Sequence, residues 1–96
     1  MDNAKLDGAN LNRASLQQTA MRGVSAVGAS FVGAQAWNLT AQGGQFKEAD
    51  FTGANLEFAR FSGASMHDAT LRAANLESGD MSGARLHYGT FLNMHM

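Results

Sequence analysis

Every fifth residue of the chain is apolar, in one unbroken phase from end to end: Leu6, Leu11, Leu16, Met21, Ala26, Phe31, Ala36, Ala41, Phe46, Phe51, Leu56, Phe61, Met66, Leu71, Leu76, Met81, Leu86, Phe91 and Met96. Two positions before most of them stands a small residue, usually alanine, as at Ala4, Ala9, Ala29, Ala49, Ala54 and Ala74. On an α-helix, five steps of about 100° leave successive members roughly 140° apart, which scatters them around the cylinder. On a flat strand, residues five apart face opposite sides, so that arrangement gives no common core either. A chain that turns once per pentapeptide does satisfy the pattern. The central residue and the one two before it point inward, and the other three point out. Stacked turns of this kind form a solenoid, whose core is built between neighbouring coils rather than within one repeat.

The number of pentapeptides per coil follows from a longer period. Gly23, Gly43, Gly63 and Gly83 recur every twenty residues, whereas the equivalent position one repeat earlier holds Gln18, Asn38, Phe58 and Ser78. Four repeats per coil predict a square cross-section. Glycine at one corner points to a turn with positive φ, as in type II, while the corner that accepts side chains is expected to be closer to type I or IV. The 96 residues then make just under five coils, about 23 Å long at a β-type spacing of about 4.8 Å.

The segments AKLDG, ANLNR, ADFTG, ANLEF, ARFSG and ANLES resemble the A(D/N)LXX motif of pentapeptide repeat proteins. The resemblance spans essentially the whole chain and implies an all-β fold, a right-handed quadrilateral parallel β-helix of about five coils, in one domain over residues 1–96. Its departures lie mainly in residues 19–45, where Val24 with Ala26 and Leu39 with Ala41 exchange large and small between the two inward slots. Because the exchange roughly conserves volume, the coil is expected to persist there with altered packing.

Composition limits the chemistry. There are no cysteines and no prolines, so disulfides, thiolate nucleophiles and thiolate metal sites are absent, and the chain suits a reducing compartment. The opening MDNAKLDGANLN has no apolar signal core, and the reading is a cytoplasmic protein, or one exported by specialised secretion without a cleavable signal. No run of the sequence has the length of a membrane span. Seven basic and eight acidic residues give a net charge of −1, which provides no basic footprint for direct nucleic-acid binding. No cofactor is expected.

The terminal coils of a solenoid expose core side chains and backbone groups, and neither end of this sequence carries a recognisable cap. The chain is read either as a piece of a longer protein or as one whose ends dock. Met81, Leu86, Phe91, Met94 and Met96 concentrate apolar surface in the final coil and are the expected oligomerisation residues. A two-fold, end-to-end homodimer is the simplest closed arrangement.

Outward positions must carry any function. In columns of twenty, His67 falls beside His87, with Lys47 before them and Asp68 and Tyr88 adjacent. Two stacked imidazoles suit a metal or a pH-sensitive patch, although an open convex face supplies no pocket and a solvated column explains them as well. Val27, Val32 and Trp37 take the same outward position on successive faces, with Phe58 one coil from Trp37. Clustered exposed apolar groups mark interfaces, and tryptophan is enriched at binding hot spots, so these four are the candidate protein-binding residues. The alternative is that Trp37 lies over Phe58 and adds local stability where the core thins at Ala26, Ala36 and Ala41.

Some members of the family are known to mimic duplex DNA, bind DNA gyrase and protect it from quinolones. Mimicry of that kind needs continuous rows of carboxylates. The clean acidic column here is Glu57 with Glu77, and residues 46–96 set Glu48, Asp50, Glu57, Asp68, Glu77 and Asp80 against Lys47, Arg60, Arg72 and Arg85. Other members are appended to bacterial effectors or act as scaffolds. The resemblance therefore favours a non-catalytic interaction or assembly module with a protein partner, and gyrase mimicry is the alternative.

Overall fold

In the computed structural model, which describes residues 1–91, the chain turns at every pentapeptide and forms one-residue parallel bridges between turns. Every bridge joins residues twenty apart, from Lys5 with Ser25 through Asn10 with Ser30 to Thr70 with Thr90. A coil thus takes four pentapeptides, as the glycine superperiod predicts. The overall extents are 30 × 26 × 23 Å, so the stack is about as long as it is wide.

Backbone bonding accounts for the five-residue unit. The central residue opens each turn and the small residue closes it, as where Ala54 N donates to Phe51 O at 3.0 Å and Ala64 N to Phe61 O at 2.9 Å. Three further N–H groups bond to neighbouring coils: Leu6 N to Ser25 O at 2.6 Å, Gly8 N to Val27 O at 2.9 Å, and Ser25 N back to Ala4 O at 2.9 Å. Among the described residues the fifth N–H, on the residue after the central one, has no backbone acceptor. A short side-chain carbonyl fills that vacancy in many repeats, because an unpaired donor is costly once water is displaced.

Two routes supply the acceptor. Asp50 Oδ1 accepts from Thr52 N at 2.9 Å, Asn55 Oδ1 from Glu57 N at 3.2 Å, Asn75 Oδ1 from Glu77 N at 3.0 Å and Asp80 Oδ1 from Ser82 N at 2.9 Å. In the second coil the acceptor comes from the first: Asp2, Asp7 and Asn12 accept from the backbone N–H of Arg22, Val27 and Val32, each at 2.9 Å. The Asp or Asn of the repeat is therefore a turn cap, and either residue type serves.

That equivalence has a pH consequence. Hydrogen bonds from Ser82 Oγ and N, with Arg60 nearby, hold the Asp80 carboxyl below its ordinary value of 3.8. Bonds from Arg22 lower Asp2, and bonds from Ser25 and Val27 lower Asp7. A carboxyl depressed in the folded state contributes stability that is fully present above its unfolded pKa and is lost as pH falls through the folded one. The denaturation midpoint is therefore expected to drop below about pH 4. Asp80→Asn, which keeps the amide acceptor used by Asn55 and Asn75, is expected to match the parent at pH 7 and lose less on acidification. Urea titrations at pH 7 and pH 3 measure both, and a variant markedly weaker at pH 7 would count against the capping role.

The inward slots form one apolar core with no buried polar residue among those described. Val24, Ala26, Leu39 and Ala41 are all buried, and the bridges Ser25 with Gln45 and Thr40 with Arg60 continue through them. Exchanging large and small between slots leaves the coil intact, as the sequence predicts. Four phenylalanines fill the middle: Phe31 stacks on Phe51 at 4.7 Å and 6°, and Phe46 and Phe61 meet Phe51 at 5.6 Å and 5.7 Å with their planes inclined by 58° and 80°.

The corners differ from expectation. Positive φ is not confined to the glycine positions: eight glycines and ten other residues adopt it, one at every described corner, among them Gln18, Asn38, Phe58 and Ser78 at φ 58–59°. All corners share one left-handed geometry because each must turn the chain by about a quarter of a coil within the same two residues. Side chains there tolerate a backbone that costs L-residues about 1–2 kcal/mol.

Candidate protein-binding surface

Residues 37–38, 57–58 and 77–78 stack at one corner, since Asn38 N donates to Glu57 O at 2.8 Å and Phe58 N to Glu77 O at 3.0 Å. Trp37 is half-buried and Phe58 is 53% exposed. The two aromatics share this corner without the expected ring contact; the ring pairs among the described residues involve Phe31, Phe46, Phe51 and Phe61, and His67 with His87. Val27 and Val32 lie at the two preceding corners, half-buried. The four residues are therefore not one patch, because the position after the central residue recurs at every corner and each corner points in its own direction.

A groove of 390 Å³ runs beside Phe58, lined by Asn38, Thr40, Phe58, Arg60, Ser78 and Asp80. The corner column 38, 58, 78 forms one wall and the mid-face column 40, 60, 80 the other. Asp80 is oriented by Ser82, whose N and Oγ lie 2.9 Å and 2.6 Å from Oδ1. Sequence reasoning singled out Phe58 and counted Arg60 and Asp80 only in the overall charge balance; the twenty-residue register places these two in one column. Tyr88, beside the His67/His87 column, is 88% exposed at another left-handed corner with φ 61°.

His67 and His87 stack with ring centroids 5.0 Å apart and planes 11° apart, and His67 Nε2 is buried without a hydrogen-bond partner. Parallel rings at this distance aim their lone pairs side by side, whereas two nitrogens about 2 Å from one zinc ion must converge. Among the described residues no group of three or more His, Cys, Asp or Glu side chains could hold a metal ion.

At the upper end, Met81, Leu86 and Phe91 are half-buried against the core, as Leu6 and Leu11 are at the lower end. Met94 and Met96 fall outside the described residues. The Asp2 carboxylate pairs with Arg22 at 2.9 Å on an exposed face, a contact worth little to stability. No described helix is long and apolar enough to cross a membrane.

Comparison with known proteins agrees with this geometry. The family model of pentapeptide repeats matches in 8 copies over residues 1–35, 29–68 and 49–87. A pentapeptide repeat protein of the Arabidopsis thaliana thylakoid lumen superposes with a TM-score of 0.83 at 23% identity, covering 86% of this chain and 58% of its own. Rfr23, from the cyanobacterium Cyanothece 51142, gives 0.65 at 18% identity, covering 97% of this chain and 88% of that one. HetL, a protein of Nostoc sp. strain PCC 7120 involved in heterocyst differentiation regulation, gives 0.55 at 24%, covering 95% and 52%. The chain thus spans little more than half the length of two of these structures. A search of curated proteins returned no significant match. With the repeat matched along most of its length and its coils superposing on solved relatives, the chain belongs to the pentapeptide repeat family and folds as a right-handed β-helix solenoid.

Proposed function

We propose that the protein is a non-catalytic interaction or assembly module: a four-sided β-helix of about five coils that presents rigid outward corners to a protein partner and joins a second copy through an end of the stack. The observation that carries this reading is Phe58, a large aromatic left 53% exposed at a corner with φ 59°. Folding gains nothing from exposing a bulky ring on a backbone that glycine adopts freely, so its benefit is sought in recognition. Half-buried Trp37 on the same corner adds the residue type most often found at hot spots.

Gyrase mimicry is the second reading, supported by Glu57 and Glu77 in one column and by structural likeness to QnrB1, a plasmid-mediated fluoroquinolone resistance protein, at a TM-score of 0.50 and 21% identity. Six carboxylates against four cations in residues 46–96 give a weak, interrupted field, which disfavours it. The expected result is no effect on gyrase supercoiling, together with capture of a protein partner that Trp37→Ala weakens while the β-type circular dichroism persists. Light scattering at high micromolar concentration is expected to give a dimer that Phe91→Glu converts to monomer. Loss of folding in Trp37→Ala, or a monomer unchanged by Phe91→Glu, would remove the support for the corner and the end respectively.

A further inference from the structure

We propose that the groove beside Phe58 binds a neutral saccharide chain, one pyranose ring of which lies on the Phe58 face while its hydroxyls bond to the polar side chains of the two walls. This goes beyond the reading of the corner as a protein-binding surface and gives the adjoining groove a ligand of its own, with Phe58 common to both. The lining is charge-balanced. Its charged groups are Arg60 and Asp80, bridge partners in the mid-face column. Arg60 stands near enough to help hold the Asp80 carboxyl below its ordinary value, yet the two do not close into an ion pair as Asp2 and Arg22 do. A charged ligand therefore gains at one group and loses at the other. A hydroxyl loses at neither, because it donates to the carboxylate and accepts from the guanidinium.

The polar groups of the groove are also unspent. Elsewhere Asp50, Asn55 and Asn75 turn their side-chain oxygens onto their own turns. Asp80 does so through Oδ1 alone, which leaves Oδ2 for a ligand. Asn38, Thr40, Arg60 and Ser78 make no side-chain hydrogen bond among the described residues. Two hydroxyls, an amide, a guanidinium and a carboxylate oxygen thus offer mixed donors and acceptors, which suits hydroxyls that each donate once and accept twice. An extended peptide finds no backbone to pair with on the mid-face wall. The N–H groups of Thr40, Arg60 and Asp80 go to the carbonyls of Thr19, Leu39 and Ala59, and their own carbonyls accept from Met21, Ala41 and Phe61, so strand addition is closed there. Phe58, 53% exposed, presents a flat apolar face whose negative ring density suits the C–H face of a sugar. Rings one coil apart lie 4.7 Å and 5.0 Å from each other at Phe31–Phe51 and His67–His87, close to the advance of one pyranose residue in an extended chain, so successive sugars meet successive coils. The volume of 390 Å³ lies within the range of about 300–1,000 Å³ typical of ligand sites.

Backbone-amide NMR shifts would be followed at pH 7 while cellotetraose or maltotetraose is titrated, with the anionic tetragalacturonate as the charged counterpart. A neutral tetrasaccharide is expected to move the amides around residues 38–40, 58–60 and 78–80 saturably and with little dependence on salt, while tetragalacturonate leaves them in place. Phe58→Gly is expected to weaken binding about tenfold, and because glycine suits φ 59° the fold should be at least as stable as in the parent. Asp80→Asn keeps the acceptor that caps Ser82, should weaken the neutral sugar about threefold, and should admit tetragalacturonate because Arg60 then stands uncompensated. No shift with either neutral sugar, shifts spread evenly over all faces, equal binding of tetragalacturonate by the parent, or a response unchanged in Phe58→Gly would overturn the proposal. No sugar response with Trp37-dependent capture of a protein partner intact would overturn the groove assignment and leave the interaction role standing; a sugar response without such capture would do the reverse.

Discussion

Phe51→Ala is expected to destabilise the protein by about 3–5 kcal/mol, as for other large-to-small changes at fully buried aromatics. The ring is 1% exposed and touches all three other core phenylalanines: it stacks on Phe31 at 4.7 Å and meets Phe46 and Phe61 at 5.6 Å and 5.7 Å. Truncation removes the buried ring area and leaves a void lined by three rigid rings tied to their own coils, so the site collapses poorly. In a solenoid the loss falls at an interface between neighbouring coils and uncouples the coils on either side. A domain of this size has about 5–15 kcal/mol in total, so the change should remove a large share of it and lower the thermal midpoint by on the order of 20 °C. Phe51→Leu, which keeps most of the volume, should lose only about 1 kcal/mol. Urea denaturation followed by circular dichroism measures both; a loss under about 1 kcal/mol for Phe51→Ala would mean that the coils do not rely on this stack.

Phe51 also shows which parts of the fold can be read from sequence. Inward positions are legible because apolar side chains recur with the geometric period of the turn, and the twenty-residue register alone places Phe31 over Phe51. The corners were not legible in the same way. Glycine signals positive φ only where a sequence happens to use it, and Phe58, Ala73 and Tyr88 adopt φ 56–61° without it. The surface was harder still. Outward residues carry no periodic constraint, so Val27, Val32 and Trp37 looked equivalent by position although they lie at three separate corners. Arg60 and Asp80, by contrast, share a groove wall because columns run at twenty, a rule already present in the glycines.

Adjacent Gly43 and Gly44 look alike in sequence and serve different physical needs. Gly43 has φ +67° and open space where a Cβ would stand, so only its backbone favours glycine. Gly44 lies in an inward slot, and a Cβ there would come 2.4 Å from Phe46 Cε2 and 3.2 Å from Ala41 O. The slots before Phe31, Phe51 and Phe61 hold Ala29, Ala49 and Ala59, all buried, so phenylalanine at the next inward position does not in general demand glycine. Phe46 does because its ring leans over the slot, and Phe31, Phe51 and Phe61 surround it at 5.5–6.1 Å and prevent it from swinging away. Gly89 repeats the arrangement, with a Cβ there 2.5 Å from Phe91 Cζ. Gly44→Ala is therefore expected to cost about 1–3 kcal/mol by overpacking. Adding Phe46→Leu removes the ring the new methyl meets, so the double variant should be more stable than the sum of the two single losses implies, with a coupling of about 1 kcal/mol or more. A double-mutant cycle from urea midpoints decides it. Additive losses would mean that Phe46 escapes to another rotamer, and that the pairing of glycine with phenylalanine in this slot has no steric basis.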